Sequence, residues 1–247
     1  MPAQAAEVVS SNIVGYNKIT LNQGYNLVGA KYVEVGGGDR GISKSFVLDE
    51  SFAGYDDSYK FKTRLQMWNG IGYDTYGWAG NSGTEVDDDP DLDYTWTDLD
   101  AEAVDDVVVP PSEGVWILAE KAGIATVSGE VVTTNVTVNL VSGYNLICNP
   151  YPVEMPVTTF GRLDDGFAGY DSNYKFKTRL QIWNGVGYDT YGWAGNSGTE
   201  VDDDPDLDYT WTDLDAEATN KKVGIGAAVW IIAEKAGTIT FTSPITE

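Results

Sequence analysis

The chain has no histidine and a single cysteine among its 247 residues. Without imidazole there is no Ser-His or Cys-His nucleophile pair, no His general base and no imidazole metal ligand. One thiol, Cys148, leaves no intrachain disulfide and no multi-cysteine zinc or iron–sulfur centre. Basic residues are also scarce. Fifteen Lys and Arg stand against 38 Asp and Glu, for a formal charge of −23. Phosphates need clustered cations, so this composition argues against DNA or RNA as partner. No apolar run approaches the roughly 18 residues of a membrane-spanning helix. What is present is a hydrophobic fraction of 42%, enough for a packed core, together with 30 aromatic residues.

An internal duplication organises the chain. Residues 52–103 recur as 167–218 at an offset of 115, with 48 of 52 positions identical. The flanks correspond more loosely: 115–123 matches 229–237 at an offset of 114, and 24–28 matches 143–147 at an offset of 119. The chain therefore divides into a flexible N-terminal segment, 1–12, and two β-domain repeats, 13–130 and 131–247, each of ordinary domain size. Within the first segment, Ala3-Gln4-Ala5 has the small-x-small form of a signal-peptidase site and points to a secreted protein.

Each repeat reads as β-structure. Residues 59–68 alternate, with Tyr59, Phe61, Thr63, Leu65 and Met67 on one face and Lys60, Lys62, Arg64, Gln66 and Trp68 on the other. Asn69-Gly70 signals a hairpin turn, and 73–78 is the return strand. Residues 115–121 and 124–127, joined at Ala122-Gly123, predict a second hairpin. Helical periodicity is absent apart from a possible turn at 98–103. The expected fold is all-β: two tandem duplicated antiparallel β-sandwich, or β-roll, domains.

Three stretches of the second repeat then carry a resemblance: GYNLICNPYPVEMP (143–156), LQIWNGVGYDTYGW (180–193) and AVWIIAEKAGTITF (228–241). They resemble the small β-repeat found in secreted and surface proteins of Bacteroidetes and of the Planctomycetes–Verrucomicrobia–Lentisphaerae group. The resemblance implies a β-architecture and an extracellular or cell-surface location, and it implies no catalytic activity. The first repeat departs from the pattern. It has Gly29-Ala30-Lys31-Tyr32-Val33 where the second has Cys148-Asn149-Pro150-Tyr151-Pro152.

Acidity is concentrated. Residues 85–102 hold nine acids and no base, and 200–217 repeat them. Carboxylates at that density repel unless a cation or a basic surface compensates. Asp87, Asp89, Asp91 and Asp93, with Asp202, Asp204, Asp206 and Asp208, offer hard oxygen ligands at alternate positions and are candidate Ca²⁺ ligands. An EF-hand is excluded, because Leu92 occupies the glycine position and Asp98 the twelfth. Two other readings stand beside calcium. One is a solvated acidic loop. The other is electrostatic docking onto the basic stripe Lys60, Lys62 and Arg64, repeated as Lys175, Lys177 and Arg179.

Trp68, Tyr76 and Trp78 recur as Trp183, Tyr191 and Trp193. Such residues fill cores, form protein interfaces or stack on sugar rings. With no histidine, the catalytic route left is a carboxylate pair, and no acid stands alone in an apolar setting to mark a general acid. The expectation is a non-enzymatic extracellular structural protein that self-assembles into a filament, sheath or surface layer, with Ca²⁺ as a stabilising ion. The alternative is a calcium-supported carbohydrate-binding or adhesion module. The partner is another copy of the chain in the first case and a glycan in the second, with no nucleic acid and no membrane span in either.

Overall fold

A computed structural model describes residues 13–56, 60–80, 93–104, 107–171, 175–195 and 207–245. The fold is all-β. The first repeat contains β1 (Val14–Leu21), β2 (Gly24–Gly29), β3 (Tyr32–Val33), β4 (Arg40–Gly41), the single-turn helix α1 (Ile42–Ser45), β5 (Val47–Leu48), β6 (Arg64–Trp68), β7 (Tyr73–Trp78), β8 (Trp96–Thr97), β9 (Val108–Val109), β10 (Gly114–Ala119) and β11 (Gly123–Val131). The second contains β12 (Val136–Leu140), β13 (Gly143–Cys148), β14 (Met155–Pro156), β15 (Arg162–Leu163), β16 (Arg179–Trp183), β17 (Tyr188–Trp193), β18 (Trp211–Thr212), β19 (Lys222–Val223), β20 (Ala228–Ala233) and β21 (Gly237–Phe241).

The same arrangement occurs twice. A five-stranded antiparallel sheet has the order β2-β10-β6-β7-β8 in one half and β13-β20-β16-β17-β18 in the other. A smaller sheet faces each: β1-β11-β3, with β5 also paired to β11, and β12-β21-β15. Apolar side chains from the facing sheets interdigitate. In the first half the core holds Leu21, Phe46, Leu48, Leu65, Trp78, Trp96, Ile117 and Val127; in the second it holds Leu140, Phe160, Leu163, Leu180, Trp193, Trp211, Ile231 and Ile239. Alternation along β6 and β10 supplies this face: Leu65, Val115 and Ile117 are fully buried on the inside.

Local sequence explains the corners. In Gly24-Tyr25-Asn26, the Asn26 carboxamide closes the turn between β1 and β2. Its Oδ1 accepts from the Asn22 N–H at 2.8 Å, and its Nδ2 donates to the carbonyls of Asn22 and Gly24. Asn145 repeats these bonds with Val141 and Gly143. Gly24 and Gly143 have φ of 94° and 96°, a conformation that favours glycine.

The β6–β7 hairpin forms as expected, although its turn spans Asn69 to Gly72 and the Asn69 Oδ1 accepts from the N–H groups of Ile71 and Gly72. Three expectations need correction. The strand expected at 59–68 begins only at Arg64. Before it, the chain turns back so that the Phe61 ring packs 4.5 Å from Tyr55 and lies over Gly77, where a Cβ would strike it. The hairpin expected around Ala122-Gly123 is instead an arch. β10 pairs with β2 and β6, while β11 pairs with β1, β3 and β5, so the turn carries the chain from one sheet to the other. Glu120 and Lys121 hold that arch. The Glu120 Oε1 accepts from the Ala53 N–H at 2.7 Å, and the Lys121 Nζ donates to the Ser51 carbonyl and lies over the Phe52 ring. Helix α1 is the third difference: a single turn of four residues is too short to show helical periodicity.

Candidate functional site

The two five-stranded sheets meet through their outer faces, and the contact is reciprocal. Gly29 N–H donates to the Gly226 carbonyl at 2.9 Å, and Cys148 N–H, its counterpart at the 119 offset, donates to the Ser112 carbonyl at 2.8 Å. Val28 bridges Ala227 as Ile147 bridges Glu113. A local twofold axis therefore relates the two halves of this seam.

Indole rings fill it. Trp116 meets Trp183 edge to face at 5.4 Å, and Trp230 meets Trp68 in the same way at 5.4 Å. Tyr25 and Tyr188 extend the first pair, and Tyr144 and Tyr73 extend the second. The result is two four-ring ladders, Tyr25–Trp116–Trp183–Tyr188 and Tyr144–Trp230–Trp68–Tyr73, each crossing the seam. Edge-to-face pairs add about 0.5–1.5 kcal/mol each beyond their buried area. Leu27, Leu146, Cys148 and Ala228 pack between the ladders. The Trp68 Nε1 donates to the Tyr144 carbonyl at 2.9 Å, which fixes the register across the seam.

Two grooves flank the ladders at positions related by the local axis. The larger, about 580 Å³, lies between the β1–β2 turn and the β16–β17 hairpin tip. Ile19, Asn22, Gln23, Tyr25, Trp183 and Ala227 line it, and among the described residues no charged side chain does. Its counterpart, about 220 Å³, has Val138, Val141, Tyr144 and Trp68 at the matching places, and Glu113 where the first has Ala227.

Electrostatics distinguish the halves. Lys31 is fully buried, and its Nζ has no hydrogen-bond partner among the described residues. Burial lowers its pKa to about 8, against a small opposing effect of Cys148. Burial likewise raises Glu113 to about 7, and it raises the Cys148 thiol. In the second repeat Pro150 and Ala227 occupy the places of Lys31 and Glu113, so this amine and this carboxyl belong to the first half alone. An unpaired buried ammonium is costly. We predict that Lys31→Met raises stability by about 1–3 kcal/mol near neutral pH. The folded-state pKa lies below the ordinary value of 10.5, so stability contributed by neutral Lys31 is lost as pH falls through about 8. The gain from Lys31→Met is therefore largest below pH 8 and fades towards pH 10.5. Glu113→Gln follows the opposite sign, with a gain above pH 7 that disappears below about 4.5. Thermal melts of both variants across pH 4–11 check these profiles; gains independent of pH would contradict them.

The residues singled out from sequence go to different places. Trp68 and Trp183 lie in the seam. Trp78 and Trp193 are fully enclosed in the two cores, Tyr191 is buried in the second, and Tyr76 packs on the first. Of the three uses open to these aromatics, core packing is the one taken by Trp78, Tyr191 and Trp193, whose faces are covered by core side chains and so cannot stack on a sugar, while Tyr76 is half-buried against the first core. Lys60, Lys62 and Arg64, with Lys175, Lys177 and Arg179, are exposed, and none forms an ion pair with a described residue. Asp87, Asp89, Asp91, Asp202, Asp204 and Asp206 lie outside the described residues. Asp93 and Asp208 are half-buried, and no group of three or more metal-ligating side chains occurs among the described residues. The end of each acidic segment organises itself: the Asp98 Oδ1 accepts from the N–H groups of Asp100 and Glu102, and Asp213 does the same for Asp215 and Glu217.

Sequence reasoning missed Trp116, Trp230, Tyr25 and Tyr144 of the two ladders. It also missed Lys31 and Glu113. Their signal was available in the looser flanks, where the repeats differ at the positions that meet. The chain matches no known family model, no characterised protein and no solved structure.

Proposed function

We propose that the chain is a non-enzymatic, extracellular structural protein that self-assembles into a filament, sheath or surface layer, with Ca²⁺ held by the acidic segments. One observation carries this reading. Two halves that share 48 of 52 residues in their central segments bind each other face to face through aromatic ladders. A surface that already recognises a near-copy of itself is equipped to recognise another chain, and contacts of this kind propagate when they do not close. The secreted location rests on the resemblance to surface β-repeats and on Ala3-Gln4-Ala5.

A second reading has its own observation. Among the described residues the larger groove carries no charge, in a chain of charge −23, and it presents Trp183, Tyr25, Asn22 and Gln23, groups suited to a neutral sugar. Sedimentation velocity and negative-stain microscopy of the full chain, with Ca²⁺ and with chelator, separate the two. Concentration-dependent polymers are expected, with a melting temperature that falls on chelation, because an ion bound only to the native state stabilises it. A strict monomer in both conditions overturns assembly. If that monomer is retained on polysaccharide and released by Tyr25→Ala, the second reading replaces the first.

A further inference from the structure

Positions equivalent in the two repeats face each other where the local axis passes, so any side chain placed there must fit against its own counterpart. Gly29 faces Cys148. A Cβ added to Gly29 would overlap the Cys148 Cβ, with the Sγ 2.5 Å away. Gly114 faces Ala228, and a Cβ added there would lie 2.7 Å from the Ala228 Cβ and 2.9 Å from the Leu146 Cγ. Neither glycine has positive φ, so neither is required by backbone conformation. Both are required by space. At two positions paired across β2 and β10, the first repeat supplies a hole and the second supplies the group that fills it.

The neighbouring differences point the same way. A pair of first repeats would leave two voids and would bury two copies each of Lys31 and Glu113. A pair of second repeats would drive Cys148 into Cys148 and Ala228 into Ala228. Overpacking of this kind forces the backbones apart. Only the unlike pair fits, and rejection of the like pairs is built into the same residues that favour the unlike one.

We infer that the seam is a heterotypic joint that accepts a first repeat against a second repeat and rejects like pairs, so a chain–chain contact through this surface joins the first repeat of one copy to the second repeat of another. This rests on the self-assembly reading. Each chain carries one hole face and one filling face. Exchange between copies then gives either a closed reciprocal dimer or an open head-to-tail polymer.

The test reverses the joint. Gly29→Ala alone places side chains on both sides of the axis and should lower the melting temperature. Adding Cys148→Gly moves the filling group to the first repeat and should restore most of the loss. The doubly substituted chain should assemble with itself. With wild type it should not mix, because every contact between the two kinds is either a clash or a void. Wild-type and doubly substituted chains carrying different fluorophores, unfolded together and refolded as one solution, should therefore form separate assemblies. Free mixing overturns the joint while leaving self-assembly standing. Failure of Cys148→Gly to rescue Gly29→Ala overturns it at the level of the single chain. A wild-type chain that never assembles overturns the chain–chain contact together with the self-assembly reading, and is recognised because the doubly substituted chain is then monomeric too.

Discussion

Trp78→Ala is expected to cost about 3–5 kcal/mol of folding stability, the range for removing a large aromatic from a packed core. Trp78 is fully buried and meets Trp96 edge to face at 5.3 Å. The two residues are also cross-strand partners on β7 and β8, so the cavity would open at the end of the five-stranded sheet. Trp193→Ala should behave alike, since Trp193 and Trp211 repeat the pair at 5.2 Å. The phenylalanine variants sharpen the expectation. Among the described residues the Trp78 Nε1 has no partner, so Trp78→Phe loses volume but no bond. The Trp96 Nε1 donates to the Phe46 carbonyl at 2.6 Å, and Trp96→Phe leaves that buried acceptor unpaired. Urea unfolding midpoints should rank wild type above Trp78→Phe, then Trp96→Phe, then Trp78→Ala. A Trp78→Ala chain with an unchanged midpoint would show that the ring is not in the core.

Trp116→Ala is expected to cost about 3 kcal/mol or more as well, but in a different manner. Trp116 is the one ring of its ladder that touches both Tyr25, at 5.8 Å, and Trp183 of the other half, at 5.4 Å. Its removal empties the seam rather than a core. The cores of the two halves are separate clusters, so each half should keep its own cooperativity. Unfolding followed by tryptophan fluorescence should change from one transition to two, and near-ultraviolet circular dichroism from the coupled rings should weaken. Trp230→Ala should give the same result through the second ladder. One unshifted transition for both variants would mean that the seam contributes nothing to stability.

Much of the fold could be read from the chain, and the losses have physical causes. The β6–β7 hairpin was legible because period-2 alternation and Asn69-Gly70 act locally. The start of β6 was not, since Phe61 leaves the strand to cover a glycine that is sixteen residues away in sequence. The arch at Ala122-Gly123 was misread because alternation identifies strands without saying which sheet each joins. Trp68 stood correctly on the non-core face, but that face is buried against the other half, which period-2 patterning does not reveal. Most of the seam lies outside the near-identical segments 52–103 and 167–218, in the looser flanks. Those flanks hold Gly29 and Cys148, Lys31 and Pro150, Glu113 and Ala227, where two copies of one module had to become different in order to fit.

The connection between the halves has a kinetic consequence. Only residues 132–135 separate β11 from β12. Tyr151 donates from its hydroxyl to the Thr134 carbonyl, and the Asn135 Oδ1 accepts from the Ser243 N–H, so the connection is pinned to the second half. A tether this short holds each seam face near its mate at an effective concentration on the order of millimolar. Closing within one chain therefore outruns capture of a neighbour unless chains are crowded beyond that level before they close. Once closed, a chain must open its ladders before it can exchange. The amount of polymer should then depend on how the protein was brought to its final concentration as well as on the concentration itself, and diluted polymer should fall apart at the rate at which the seam opens.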